Sequence, residues 1–107
     1  MRKAKVYFKG TPAGILAEDK NGFVFRYEDD YFQHSTFRPI SMTMPKNQQV
    51  YHHRALFPVF YNMLPEGANK ETLCRLLKID ENDFFGLLLA TAQYDTIGAI
   101  TVIPIYE

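Results

Sequence analysis

Chemistry in a small protein needs a metal-ligand set, a nucleophile with a base, paired carboxylates in a cleft or a phosphate-cradling glycine loop. Of these this sequence offers fragments. His52 and His53 are adjacent imidazoles. Adjacent side chains point different ways on a helix or a strand, and no Cys, Asp or Glu stands at ligand spacing, so the pair is not expected to chelate a metal. Cys74 is the sole thiol. It sits beside Leu73 and one turn before Leu77, where a thiol behaves as a small core hydrophobe rather than a nucleophile. Glu28, Asp29 and Asp30 are the densest carboxylates, and consecutive acids at a helix start serve as solvated charges at the positive end of the dipole, not as an acid and base facing one substrate. His34 reads as a surface or satisfied histidine. The expectation is a protein that is not an enzyme, with no catalytic residue, cofactor or metal.

Composition narrows the classes further. The 107 residues carry twelve basic and twelve acidic side chains, so the broad field that draws a protein to nucleic acid is missing. Arg2, Lys3, Lys5 and Lys9 are the local basic bias, read as one solvated face of a strand. A single cysteine forbids an intrachain disulfide and makes the cytoplasm the expected compartment. No apolar run follows the basic residues of the N-terminus, so no signal peptide is expected, and none approaches the length of a membrane span. Nine Phe and seven Tyr with no Trp leave two readings open: a generously aromatic core, or apolar surface that needs a permanent partner.

The elements that must position these groups follow from periodicity. Val6 and Phe8 alternate with Lys5, Tyr7 and Lys9 as a half-buried strand, Gly10-Thr11-Pro12 turns the chain, and Gly14 to Glu18 returns. Asn21-Gly22 is the dipeptide that most readily takes a type I′ turn, which makes Phe23 to Tyr27 a third strand with Phe23, Phe25 and Tyr27 on one face. A short helix from Glu28 to Phe32, an edge strand from Ile40 to Met44 and a loop from Lys46 to Tyr51 are expected next. Phe57, Phe60, Tyr61 and Leu64 fall at helical spacing, as do Leu73, Leu76 and Leu77, and Leu64-Pro65-Glu66-Gly67 joins the two segments as a helical hairpin. Phe57, Phe60, Leu73 and Leu77 are expected to face inward. Asp80 is the expected N-cap of a third helix, apolar on nearly every side through Phe84, Phe85, Leu87, Leu88 and Leu89 and therefore buried. Ile97 to Ile105 closes as a last strand with Ile100, Val102 and Ile103 inward. One domain over residues 1–107 is expected, of α+β class: a small antiparallel β-sheet, a helical hairpin and a third buried helix.

Five segments in this order resemble the small N-terminal subdomain of the HipA-type toxin kinases. They are Gly14-Ile15-Leu16, Arg38-Pro39-Ile40-Ser41-Met42, Phe60-Tyr61-Asn62-Met63-Leu64-Pro65-Glu66-Gly67, Asp83-Phe84-Phe85-Gly86-Leu87-Leu88 and Asp95-Thr96-Ile97-Gly98-Ala99. The resemblance covers nearly the whole chain and implies a version similar to the HipS proteins of tripartite HipBST toxin–antitoxin systems. It implies an antitoxin that binds and neutralises a HipT-like Ser/Thr kinase, in a complex with a HipB-like helix-turn-helix DNA-binding protein. By the same resemblance the kinase contact includes Leu64, Pro65, Glu66, Gly67, Ala68, Asn69 and Lys70. Relatives often carry a bulky residue, frequently Trp, just after the Leu-Pro-Glu-Gly turn, where this chain has Ala68; near the end Gln93 stands where they usually have glycine. An activating or scaffolding subunit, or the toxin component itself, would need the same docking surface. A small enzyme using His52-His53 or Cys74 is the third reading.

Overall fold

The period-two pattern at the start of the chain produces the strand it predicts. In the computed structural model, which describes residues 2–92 and 99–105, strand β1 (Lys3–Phe8) buries Ala4 and Val6 and exposes Lys5. Lys9 and Gly10, with φ of 51° and 81°, make a two-residue connection to β2 (Thr11–Asp19). The reversal therefore precedes the expected Gly10-Thr11-Pro12. Pro12 lies inside β2, tolerated because the pairing register shifts between Val6 and Tyr7 just opposite it. The next hairpin also turns one residue early: Asp19 pairs with Gly22, at the head of β3 (Gly22–Tyr27), so its centre is Lys20-Asn21. Neither takes positive φ, and the Asp19 carboxylate accepts the Asn21 N–H at 2.8 Å instead. Gly22 serves a different need, since a Cβ there would lie 2.3 Å from the His53 carbonyl oxygen.

Short helix α1 (Asp29–Gln33) forms as expected, but Ile40 to Met44 is not a strand. The edge is instead β4 (Val50–His53), whose first two residues fall in the Lys46 to Tyr51 stretch expected to be loop, paired with β3. Aromatic hydroxyls explain the exchange. The buried Tyr27 hydroxyl donates to the Met44 carbonyl at 2.5 Å and accepts the Ile40 N–H at 3.1 Å, so both ends of that segment are tied to the core rather than to a ladder. Tyr31 donates to the Arg38 carbonyl and Tyr51 to that of Pro45. Tyr27, Tyr31 and Phe37 form a nearly parallel stack, and Lys46 lies over the Tyr31 ring while donating to the His34 and Phe37 carbonyls. Much of the aromatic load is thus spent inside, holding irregular chain.

Helix α2 (Pro58–Tyr61) is a single turn, shorter than its apolar stripe implied, and α3 (Gly67–Leu77) is the longer arm of the joint. Phe57, Phe60 and Leu64 are buried, and on α3 only Cys74 is, in agreement with its reading as a core thiol. Leu77 is exposed, against expectation, and Leu76 is 72% exposed. The inward stripe of α3 is Lys70, Leu73 and Cys74, with Leu73 only half-buried, one turn earlier than the Leu73, Leu76 and Leu77 spacing indicated, and Lys78 at φ 56° ends the helix. Helix α4 (Phe84–Thr91) buries Phe85, Leu87 and Leu88 as expected. Its cap is Asp83, whose carboxylate accepts the Gly86 N–H, while Asp80 accepts from Asn82 in the preceding turn. Strand β5 (Ile100–Ile105) pairs with β1 and buries Val102, while Ile103 faces solvent; Gln93 to Gly98, including the start expected for this strand, lie outside the described residues. Pro104 is accommodated on an edge strand. The sheet order is β4-β3-β2-β1-β5, every neighbour antiparallel.

Candidate functional site

The Leu64 to Lys70 joint is built by two incompatible backbone states placed in succession. Pro58 suits the first turn of α2, where its missing N–H costs nothing. The helix then tightens: Met63 N–H bonds Phe60 and Leu64 N–H bonds Tyr61, three residues back, and Pro65 supplies no further donor. Glu66 is extended and Gly67 takes φ of 60°, so α3 starts in a new direction. Gly67 has open space around a built Cβ, and its requirement is conformational rather than steric.

Leu64 anchors this joint in the core, Pro65 and Lys70 are half-buried, and Glu66, Gly67, Ala68 and Asn69 are exposed. Leu64, Pro65, Glu66, Gly67 and Lys70 line a groove of about 210 Å³. Ala68 and Asn69 do not line it. Tyr61 and Phe84, expected as helix residues and not as part of the contact, complete it. Phe84 meets Tyr61 edge-to-face at 5.5 Å, and the Lys70 ammonium sits 5.1 Å from the centre of the Phe84 ring. Because α4 is apolar on nearly every side, its sequence gives no sign of which aromatic looks outward. The groove offers an aromatic floor, one cation and one carboxylate, which suits a protein side chain.

The remaining candidates are dispersed. His52 lies on one face of the sheet beside Val24, and His53 on the other, opposite Phe23, its Nδ1 2.8 Å from the Ala55 carbonyl. Among the described residues no group of three or more His, Cys, Asp or Glu could hold a metal ion. Asp29 pairs with Arg26 at 2.9 Å and accepts from Gln49, which together hold its carboxyl below the usual range. Arg2 departs furthest from its reading as a solvated strand charge. Its guanidinium makes two-toothed contacts with Glu18 at 2.9 Å and with Asp83 at 2.8 and 2.9 Å, over the Phe85 ring. Those bonds hold the Asp83 carboxyl below the usual carboxylate range, and burial opposes them. The cluster ties the chain start, β2 and the head of α4.

Residues 4–103 match the HipA N-terminal domain family. An uncharacterized protein of Haemophilus influenzae is 35% identical over 102 residues, which span 95% of this chain and 92% of that protein. A putative kinase of Sinorhizobium fredii is 26% identical over 97% of this chain but only 25% of its own length. Among solved structures, the N-terminal domain of HipA toxin superposes with a TM-score of 0.76 at 34% identity, covering 100% of this chain and 95% of that one. The HipA, HipB and operator DNA complex of Shewanella oneidensis gives a TM-score of 0.72 at 23% identity over 97% of this chain, and supports the fold. The chain spans about a quarter of that longer protein and of the putative kinase.

Proposed function

The chain belongs to the HipA N-terminal domain family, and from that premise we propose that it acts by binding: it docks on a HipT-like Ser/Thr kinase and holds it inactive, as the antitoxin of a HipBST-type system. Its relation is to HipA-type toxin systems. The observation that carries the finer reading is a difference in length. The domain makes up about a quarter of a putative kinase, yet 92% of the Haemophilus influenzae relative falls within the match, so the domain also occurs with little else attached. A domain that forms part of a kinase in one protein and most of a small protein in another is suited to supply that part in trans. The joint from Leu64 to Lys70, exposed at Glu66 to Asn69 and with its groove against Phe84, is the surface we assign to the kinase. A HipB-like DNA-binding protein belongs to the same proposed complex, and no direct nucleic-acid contact is assigned to this chain.

Co-expression tests the reading. The kinase should lose its toxicity and co-purify with this protein; a kinase that stays fully toxic and elutes alone refutes it. Expressing each component by itself separates neutralisation from activation, because an activating subunit would make the pair more toxic than the kinase alone.

A further inference from the structure

An antiparallel sheet with one face on the core is normally polar on the other. This one is not. The strand register lines up two straight rows on the face away from the core: Ile103, Lys5, Ile15, Arg26 and Val50, and beside it Ile105, Lys3, Ala17, Val24 and His52. None of these residues is buried, while the alternating positions, Ala4, Val6, Leu16, Phe25, Tyr27 and Val102, are fully buried on the other face. No described element therefore covers the two rows. They are aliphatic except for cations and one histidine, and no residue in either row is acidic. Asp29 reaches Arg26 from the side, and Asp19, which follows Ala17 on this face of β2 and flanks the second row, is turned into its own hairpin.

We propose that this open face receives an acidic amphipathic helix of the partner kinase, aliphatic side chains lying on Ile15, Val24 and Ile103 and carboxylates reaching Lys5 and Arg26. This rests on the docking reading above. The charge of the rows sets the sign of the occupant, since a carboxylate-bearing segment is what Lys5, and Arg26 beyond its exposed pair with Asp29, complement among aliphatic side chains. Size argues against a second copy. Five strands ~4.8 Å apart and two rows ~7 Å apart present on the order of 300–400 Å², well short of the ~800 Å² each partner contributes to a stable interface. One helix, ~10 Å across, fits that width. Nucleic acid is disfavoured because the face offers aliphatic side chains and no aromatic platform among the two rows.

The test measures affinity for the purified kinase with wild-type protein, Lys5→Glu and Ile103→Lys, both at exposed positions, with circular dichroism confirming the fold. Each variant should weaken binding at least tenfold, and the loss for Lys5→Glu should shrink as salt is raised from 50 to 500 mM. Unchanged affinity of both folded variants, while wild type binds, overturns the sheet-face assignment alone. Failure of wild type to bind overturns the docking reading instead. Two further results also overturn the assignment: a wild-type dimer in solution that Ile103→Lys dissociates, which makes the face a contact between copies, or Lys5-dependent binding of duplex or single-stranded DNA.

Discussion

Gly86→Ala is the substitution for which the structure and general helix propensity predict opposite signs. Alanine in place of glycine inside a helix ordinarily adds about 1 kcal/mol. Here the added Cβ would lie 2.3 Å from Asp83 Oδ2, 2.9 Å from Asp83 Cγ and 3.0 Å from Arg2 Nη1. The Asp83 carboxylate can swing aside, but it then releases the Gly86 N–H that it caps and the guanidinium that it pairs. Losing an N-cap costs about 1 kcal/mol. The ion pair is two-toothed, but its side chains are 41% and 35% exposed, so solvent screening limits its loss to about 1 kcal/mol. The losses exceed the gain by about 1 kcal/mol, which lowers the melting temperature by roughly 4–8 °C. The decisive comparison is the same change in an Asp83→Ala background. With the carboxylate gone the obstacle is gone, and Gly86→Ala should there be stabilising by about 0.5–1 kcal/mol. Thermal and urea denaturation of the four proteins completes the cycle. Stabilisation by Gly86→Ala in the wild-type background, or an equal effect in both backgrounds, refutes this account of the α4 cap.

The same pair sets an acid dependence. Because the Asp83 carboxyl is held below its ordinary value of about 4, its contribution is complete above that pH and lost as pH falls through the lower folded value, so Asp83→Asn should flatten the acid arm of a stability profile taken from pH 5 to 2. Tyr27 titrates in the opposite direction: burial pushes its hydroxyl up to about 12, so stability is full below about pH 10 and falls as pH rises from there through 12; Tyr27→Phe should cost ~1–3 kcal/mol at neutral pH by orphaning the Ile40 N–H and flatten that alkaline loss. Gly67→Ala should cost about 1–2 kcal/mol despite the empty space around it, because its φ of 60° is the obstacle, and Gly67→Asn should cost less. Ala68→Trp, at an exposed position, should leave the melting temperature nearly unchanged and alter kinase affinity at least tenfold; equal affinity would move the contact away from this turn.

What could be read from sequence was what depends on local alternation. Val6, Phe25 and Tyr27 faced the core because a strand has only two faces, and α4 was buried because Phe85, Leu87 and Leu88 leave it no polar side. What could not be read depends on a partner far along the chain. Asn21-Gly22 has the composition of a type I′ turn, but Gly22 is required where it backs onto His53, some thirty positions away, and so the turn centre moved. Ile40 to Met44 has the alternation of a strand, but one hydroxyl from Tyr27 claims its end groups. Asp80 and Asp83 are equally good caps on paper; Arg2, at the other end of the sequence, orients the second. The groove was half legible for the same reason. Leu64 to Lys70 are contiguous, whereas Phe84 arrives from another helix.

The two proposed contact surfaces lie on opposite sides of the sheet, and that separates their effects. The groove belongs to the helical layer, since Phe84 and Phe85 are neighbours on α4 and Phe85 packs edge-to-face on Phe23, on the core side. The rows of Lys5 and Ile103 face the other way, with the sheet and a helix layer, ~10 Å thick, between. A partner that touches both must wrap around an edge, or reach one of them with a separate segment. Sites this far apart with no shared neighbours should contribute additively. The double variant Lys5→Glu with Ala68→Trp should therefore change kinase binding by the product of the two single fold-changes if both surfaces engage one kinase at once. A double variant no different from the stronger single change would mean that the two substitutions act on one contact, which this fold does not allow without a rearrangement of the sheet against α4.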